Sequence, residues 1–196
     1  MNERDFTLAD DWQGQDPTGW LLSEKFDGCR AYWDGAQLWT RGGNVIDAPA
    51  WFTEGLPSDQ HLDGELWAGR GKFQRASNAA RLGSEHFGRS FLFVVFDCPT
   101  ARGTWQERMT IAADSIVNAR HAQVATYRPC AGLDDLVAEF LRVTNAGAEG
   151  LCLRHPRVAR YETRRTENLL KVRWSHFIAE QMQFEPYVAS AETLSA

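Results

Sequence analysis

The chain has 196 residues, 43% of them hydrophobic, which is enough for one globular domain with a real core. A net charge of −5 argues against indiscriminate coating of nucleic acid, and no run of about 18 apolar residues offers a membrane-spanning helix. Cys29, Cys98, Cys130 and Cys152 are scattered without a Cys-x-x-Cys pair, so they read as reduced thiols, neither a zinc site nor a disulfide framework. The N-terminus, Met-Asn-Glu-Arg-Asp-Phe, has no basic segment followed by an apolar one, so a cytoplasmic location is expected.

In chain order, Gly19–Glu24, Cys29–Trp33 and Gln37–Thr40 are expected as short strands, separated by the turn dipeptides Asp27-Gly28 and Asp34-Gly35. Arg41-Gly42-Gly43-Asn44 is a further turn. His61–Leu66 and Ser90–Phe96 read as strands, the second apolar enough to be central and buried on both faces. A helix is expected over Trp105–His121, where Met109, Ala112, Ile116 and Val117 recur about one turn apart. Gln123–Tyr127 follows as a strand, then a helix over Asp134–Asn145, which starts with acids suited to the dipole and stops at Gly147. Gly150–Arg154, Asn168–Val172 and Ala179–Pro186 are the last expected strands, with a small polar tail after Val188. Strands outnumber helices and hairpins dominate, so the fold class is α+β with mostly antiparallel sheets.

Three lysines stand against eighteen arginines, and Lys25 lies in Ser23-Glu24-Lys25-Phe26-Asp27-Gly28-Cys29-Arg30. A guanidinium stays protonated at any physiological pH, whereas an amine can be neutralised and used as a nucleophile. Glu65 and Phe96-Asp97 come at or next to strand ends, Glu149-Gly150 opens a strand, and Lys171-x-Arg173 closes another. One lysine, two glutamates, an aromatic and a late cationic pair are the parts needed to attack a nucleoside triphosphate: a ring to stack a base, carboxylates for Mg²⁺, cations for an α-phosphate. Singly, each has a plainer reading: Phe96 as core, Glu149 as a turn carboxylate, Glu65 as an arginine's partner. Two basic runs add to the set, one of Arg70, Lys72, Arg75 and Arg81, the other from Arg154 to Arg173 with seven cations against two acids. Either is a solvated face or a set of phosphate contacts, and their positions directly after these motifs fit phosphate better.

The chain resembles the covalent nucleotidyltransferase superfamily, and within it the minimal bacterial and phage-type ATP-dependent DNA ligases. The resemblance runs from about residue 20 to residue 173. It is carried by Ser-Glu-Lys-Phe-Asp-Gly-Cys-Arg-Ala-Tyr-Trp-Asp-Gly (23–35), Asn-Val-Ile-Asp-Ala-Pro-Ala-Trp-Phe (44–52) and Leu-Asp-Gly-Glu-Leu-Trp-Ala-Gly-Arg-Gly-Lys-Phe (62–73). It implies an adenylation domain over residues 1–188, with the nucleotide site between two mostly antiparallel sheets flanked by helices. Residues 189–196 are then a C-terminal tail, and no oligonucleotide-binding (OB-fold) domain is expected.

The resemblance further implies that Lys25 attacks ATP to form lysyl-AMP, that AMP passes to the 5′-phosphate of a nick, and that the 3′-hydroxyl then seals the strand. Arg30 and Arg41 would contact the nucleotide and later the nick phosphates, and Glu24 would also face the nucleotide. Glu65 would bind the ribose or a metal, Phe96 would stack on adenine, and Lys171 and Arg173 would grip the α-phosphate. Glu149 and Asp27 join Glu65 as candidate ligands for Mg²⁺ or Mn²⁺. Arg70, Lys72, Arg75, Arg154 and Arg165 would touch nucleic acid, Arg165 at the nick phosphate. The implied partners are ATP and nicked double-stranded DNA, with a monomer as the acting unit and no membrane involved. Arg173 departs from the family's Lys-x-Lys pattern by placing a fork where a point charge is usual. An RNA ligase or other polynucleotide adenylyltransferase, and a non-catalytic module that binds nicks or ends, are the alternatives.

Overall fold

The computed structural model describes residues 6–178. Its elements are β1 (Leu8–Asp11), β2 (Leu21–Lys25), β3 (Cys29–Trp33), β4 (Leu38–Thr40), β5 (Val45–Ile46), α1 (Ala50–Thr53), β6 (Leu62–Trp67), α2 (Phe73–Leu82), β7 (Leu92–Asp97) and α3 (Trp105–Ser115). They continue with β8 (Ala122–Val124), β9 (Tyr127–Pro129), α4 (Leu133–Asn145), β10 (Gly150–Arg154), β11 (Arg165–Val172) and α5 (Trp174–Ile178). The strands form two sheets, a five-stranded one in the order β1-β11-β10-β2-β9 and a six-stranded one in the order β5-β4-β3-β6-β7-β8. Neighbours are antiparallel except for β1 with β11 and β7 with β8. This is the expected α+β arrangement of two mostly antiparallel sheets.

Each sheet has its own core. Ala31, Leu62, Leu66, Phe91, Phe93 and Val95 of the six-stranded sheet and its flanks pack with Phe52 of α1, Ala76 and Ala79 of α2 and Ala112 of α3. On the five-stranded sheet, Leu22, Leu151, Leu153, Leu170 and Val172 meet the apolar stripe of α4, made by Leu136, Val137, Phe140 and Val143. The β3–β4 turn is set by Asp34, whose Oδ1 accepts from the amides of Ala36 (2.9 Å) and Gln37 (2.8 Å), while Gly35 takes φ +95°. Thr104 and Glu107 form a reciprocal capping box at the start of α3.

The sheets meet across one short crossing. Lys25 ends β2 in the five-stranded sheet, and Phe26-Asp27-Gly28 carries the chain to β3 in the six-stranded sheet. A Cβ on Gly28 would lie 2.3 Å from the carbonyl oxygen of Leu66, so this crossing leaves room only for glycine.

Some expectations need correcting. The helix from Trp105 ends at Ser115, not His121; Val117 is 78% exposed, and the carbonyl of His121 is already engaged by the Phe93 amide (2.8 Å) ahead of β8. The strand expected over Gln123–Tyr127 is two strands, because the chain leaves the six-stranded sheet after Val124 and enters the five-stranded sheet at Tyr127. β1, β5, α1, α2 and α5 were not expected. The expected strand Ala179–Pro186 and the tail 189–196 lie outside the described residues. Among the described residues, no helix is long and apolar enough to cross a membrane, and the four cysteines are free.

Candidate active site

Two cavities open between the sheets and meet at Lys25, Arg30 and Glu65. The outer cleft, about 890 Å³, is rich in cations: Arg41, Arg81, Arg165, Lys171 and Arg173 line it together with Lys25 and Arg30. The inner pocket, about 150 Å³, is walled by Glu24, Phe26, Phe96, Trp105, Cys152 and Arg154. A cationic trough joined to a small aromatic pocket suits a phosphate chain ending in a planar base.

Strand register explains the convergence. Gly150 pairs with Lys25 across β10 and β2, which places Glu149 beside the amine, and Lys25 Nζ forms an ion pair with the Glu149 carboxylate. Cys152 pairs with Lys171 on β11, one strand further. In the other sheet Arg30 pairs with Glu65 across β3 and β6. Between β6 and β7 the register shifts: Asp63 faces Asp97 and Gly64 faces Val95, so Phe96 is an extra residue opposite no partner. Its neighbours Phe93, Val94, Val95 and Asp97 are fully buried, but the bulge turns Phe96 into the inner pocket.

Arg30 is held from several sides. Its Nε donates to Asp63 Oδ1 (2.6 Å), Nη2 reaches the Thr7 carbonyl (3.1 Å), and Cζ stands 4.6 Å from the centre of the Phe96 ring. Tyr161, in the loop before β11, donates its hydroxyl to Asp63 Oδ2 (2.6 Å) and accepts from the Thr7 amide (3.1 Å). Burial works against the Arg30 charge, but the Asp63 carboxylate outweighs it and raises the guanidinium's pKa. Burial and the nearby Asp63 charge push the Tyr161 phenol up, which keeps it a donor.

The carboxylates differ in setting. Burial lifts Glu65 to about 7 against the pull of Arg30 and Lys25. Asp27 is also raised, by burial first and then by the charge of Glu149. Among the described residues no three His, Cys, Asp or Glu side chains gather into a cage for a metal. Asp27 and Glu149 nonetheless repel each other beside Lys25, and such a pair fits a magnesium held by one or two carboxylates with phosphate oxygens and water completing the shell.

On the far wall Asp11 gathers the late cations: Lys171 Nζ lies at 3.5 Å, Arg173 Nη2 at 3.0 Å and His176 Nε2 at 2.9 Å. Burial opposes the Asp11 charge, but Lys171 and the bonds from His176 and Arg173 hold its carboxyl below the usual range. Arg165 donates to the Ala9 carbonyl at the cleft edge.

The remaining basic residues divide. Arg154 does not lie on the surface as the basic run suggested. It is 7% exposed, with its guanidinium 3.4 Å from Asp97 and 4.8 Å from the Trp105 ring centre. A duplex cannot reach it there. Arg70 is exposed and bonded to Glu24 (2.6 and 2.9 Å), Arg75 lies 5.5 Å from the Phe91 ring, and Lys72 is exposed at the start of α2. The sequence reading missed Asp63, Tyr161, Trp105 and Asp11. Asp63 stands inside the quoted Leu62–Phe73 stretch, but nothing local ties it to Tyr161, 98 positions away.

No protein-family model matches the chain. It is 30% identical over 171 residues to a DNA ligase of Haemophilus influenzae, an alignment that takes in 86% of this chain and 63% of that relative. Among solved structures it is similar to one from a study of Lig E DNA ligases, with a TM-score of 0.76 and 33% identity over 86% of this chain and 68% of that one. The Chlorella virus DNA ligase–adenylate is similar in fold, with a TM-score of 0.66 and 23% identity over 86% of this chain and 65% of that one. The chain thus spans 63% of the length of its curated relative.

Proposed function

We propose that this chain, which belongs to the DNA ligase family, seals nicks in duplex DNA by ATP-dependent nucleotidyl transfer through Lys25. The observation that carries this reading is the placement of the Lys25 amine where the cationic cleft and the aromatic pocket meet. ATP lies with its base toward Phe96, its ribose near Glu65 and its phosphates along Arg30, Arg41, Lys171 and Arg173. Glu149, paired with Lys25, holds the amine at that junction, and the amine gives up its proton to water before it attacks.

The Nζ lone pair then forms a P–N bond to the α-phosphorus as the bond to pyrophosphate breaks. A nick 5′-phosphate oxygen next attacks that phosphorus and releases the lysine, and the 3′-hydroxyl finally displaces AMP to make the phosphodiester. The lining cations neutralise charge building on the phosphate oxygens at each exchange. Asp27 and Glu149 would hold magnesium, which supplies positive charge beside the triphosphate.

The test is to incubate the protein with α-labelled ATP and Mg²⁺ and follow acid-stable, hydroxylamine-sensitive label, then chase with nicked DNA or nicked RNA. Label should load onto the chain and leave it on nicked DNA. Lys25→Ala should abolish loading. Lys25→Arg, which keeps the charge but cannot attack, should abolish it too; label persisting on either variant overturns the assignment of the nucleophile. Discharge on nicked RNA in preference to DNA would overturn the assigned substrate.

A further inference from the structure

The cleft uses only part of the basic run between Arg154 and Arg173. Arg154 is buried, while Arg165, Lys171 and Arg173 line the cleft. Arg160 instead lines a separate cavity of about 720 Å³, together with Arg102 from the loop after β7, Tyr32, His61, Thr100 and Tyr161. Among the described residues, no acidic side chain lines this cavity. Both arginines are exposed, and neither has an ion-pair partner among the described residues. Tyr32 and His61 are already engaged with each other, hydroxyl to Nδ1 at 3.0 Å, which fixes one aromatic wall.

Two unpaired guanidinium forks without a competing carboxylate select a phosphate-bearing anion. The two tyrosine rings and the cavity's size give it room for more than phosphate alone. We propose that this cavity is a second binding site, for a phosphate-bearing nucleotide, either as part of a nucleic-acid strand or free. It adjoins the first site at Tyr161, which lines this cavity and donates its hydroxyl to the Asp63 carboxylate that holds Arg30. The choice of probes rests on the ligase reading; the cavity's chemistry does not.

The test compares the wild-type chain with the double variant Arg102→Ala/Arg160→Ala, whose exposed, unpaired side chains carry little of the folding energy. Three measurements are made: labelling of Lys25 by ATP, anisotropy of a fluorescent nicked duplex over a salt series, and the calorimetric stoichiometry of ATP. Labelling should change less than about twofold. If the ligand is a strand, duplex affinity falls at least about tenfold and the log–log salt slope drops by about 2. If it is a free nucleotide, ATP stoichiometry drops from two per chain to one. Unchanged duplex affinity, slope and stoichiometry in the variant overturn the inference, as does a wild-type chain that binds neither probe. Absence of Lys25 labelling in the wild type would instead count against the proposed reaction and leave the binding comparison to be read by itself.

Discussion

Arg30 lines both the cleft and the inner pocket but owes its position to groups that line neither. Asp63, Tyr161 and Thr7 close a ring of hydrogen bonds around it, and the ring joins the six-stranded sheet to the segments flanking the five-stranded one. Tyr161→Phe keeps the side chain's shape and removes two bonds, one to a charged carboxylate and one from the buried Thr7 amide, so a loss of about 2–4 kcal/mol is expected in urea unfolding. ATP affinity should weaken as well, because Arg30 loses its brace. Glu65 gives a second expectation. Its carboxyl titrates near 7 in the folded chain against an ordinary 4.5, so between those values the folded form holds a proton that the unfolded form has released. Its contribution to stability is therefore full below about pH 4.5 and is lost as the pH rises through about 7, by up to about 3 kcal/mol. Glu65→Gln should flatten that decline, as measured by urea midpoints between pH 5 and pH 8. Lys25, Glu65 and Phe96 were legible in the sequence because each sits in or beside a local motif. Tyr161 was not, because its meaning comes only from a partner in another sheet.

At the level of elements, the bulge in β7 and the ion cluster beside it belong together. Asp97 is buried between Arg108 of α3 (2.7 Å) and Arg154 of β10 (3.4 Å), so one carboxylate ties a helix and a strand of the opposite sheet to the end of β7. Asp97→Ala would strand two buried guanidinium groups, at a cost of about 3–5 kcal/mol in the denaturation midpoint. Phe96→Ala, one residue away, should leave folding largely intact and weaken ATP binding by about 1–3 kcal/mol in calorimetry. An unchanged Kd would assign Phe96 to packing alone. The hairpin around Asp34-Gly35 and the buried strand β7 could be read from turn chemistry and from an apolar run. α2 could not, because its buried face is Ala76 and Ala79 and so gives only a faint apolar stripe. β1, Leu-Ala-Asp-Asp, has no strand signature of its own and exists through its parallel pairing with β11.

For the whole molecule, two cores on two sheets enclose a site to which both contribute. A nucleotide bound between them adds its binding energy to the folded state, about 2.7 kcal/mol at a concentration 100 times Kd. For a chain of this length that is a rise of about 5–10 °C in Tm, and ATP titrated into a thermal melt should show it. Magnesium removal with a chelator should shrink the rise, because Asp27 and Glu149 would then face the phosphates unscreened.

The three-residue passage from β2 to β3 has one more consequence. The Lys25 amine belongs to one jaw and the Phe96 ring to the other, and Gly28, at the end of the link between them, is wedged against β6. A methyl group added at Gly28 would collide with the Leu66 carbonyl and the Glu65 side chain of β6, and so push the link, and Lys25 with it, out of place without removing any side chain of the site. Under the proposed reaction such a variant should load AMP slowly, so that the seating of the link itself becomes a kinetic variable.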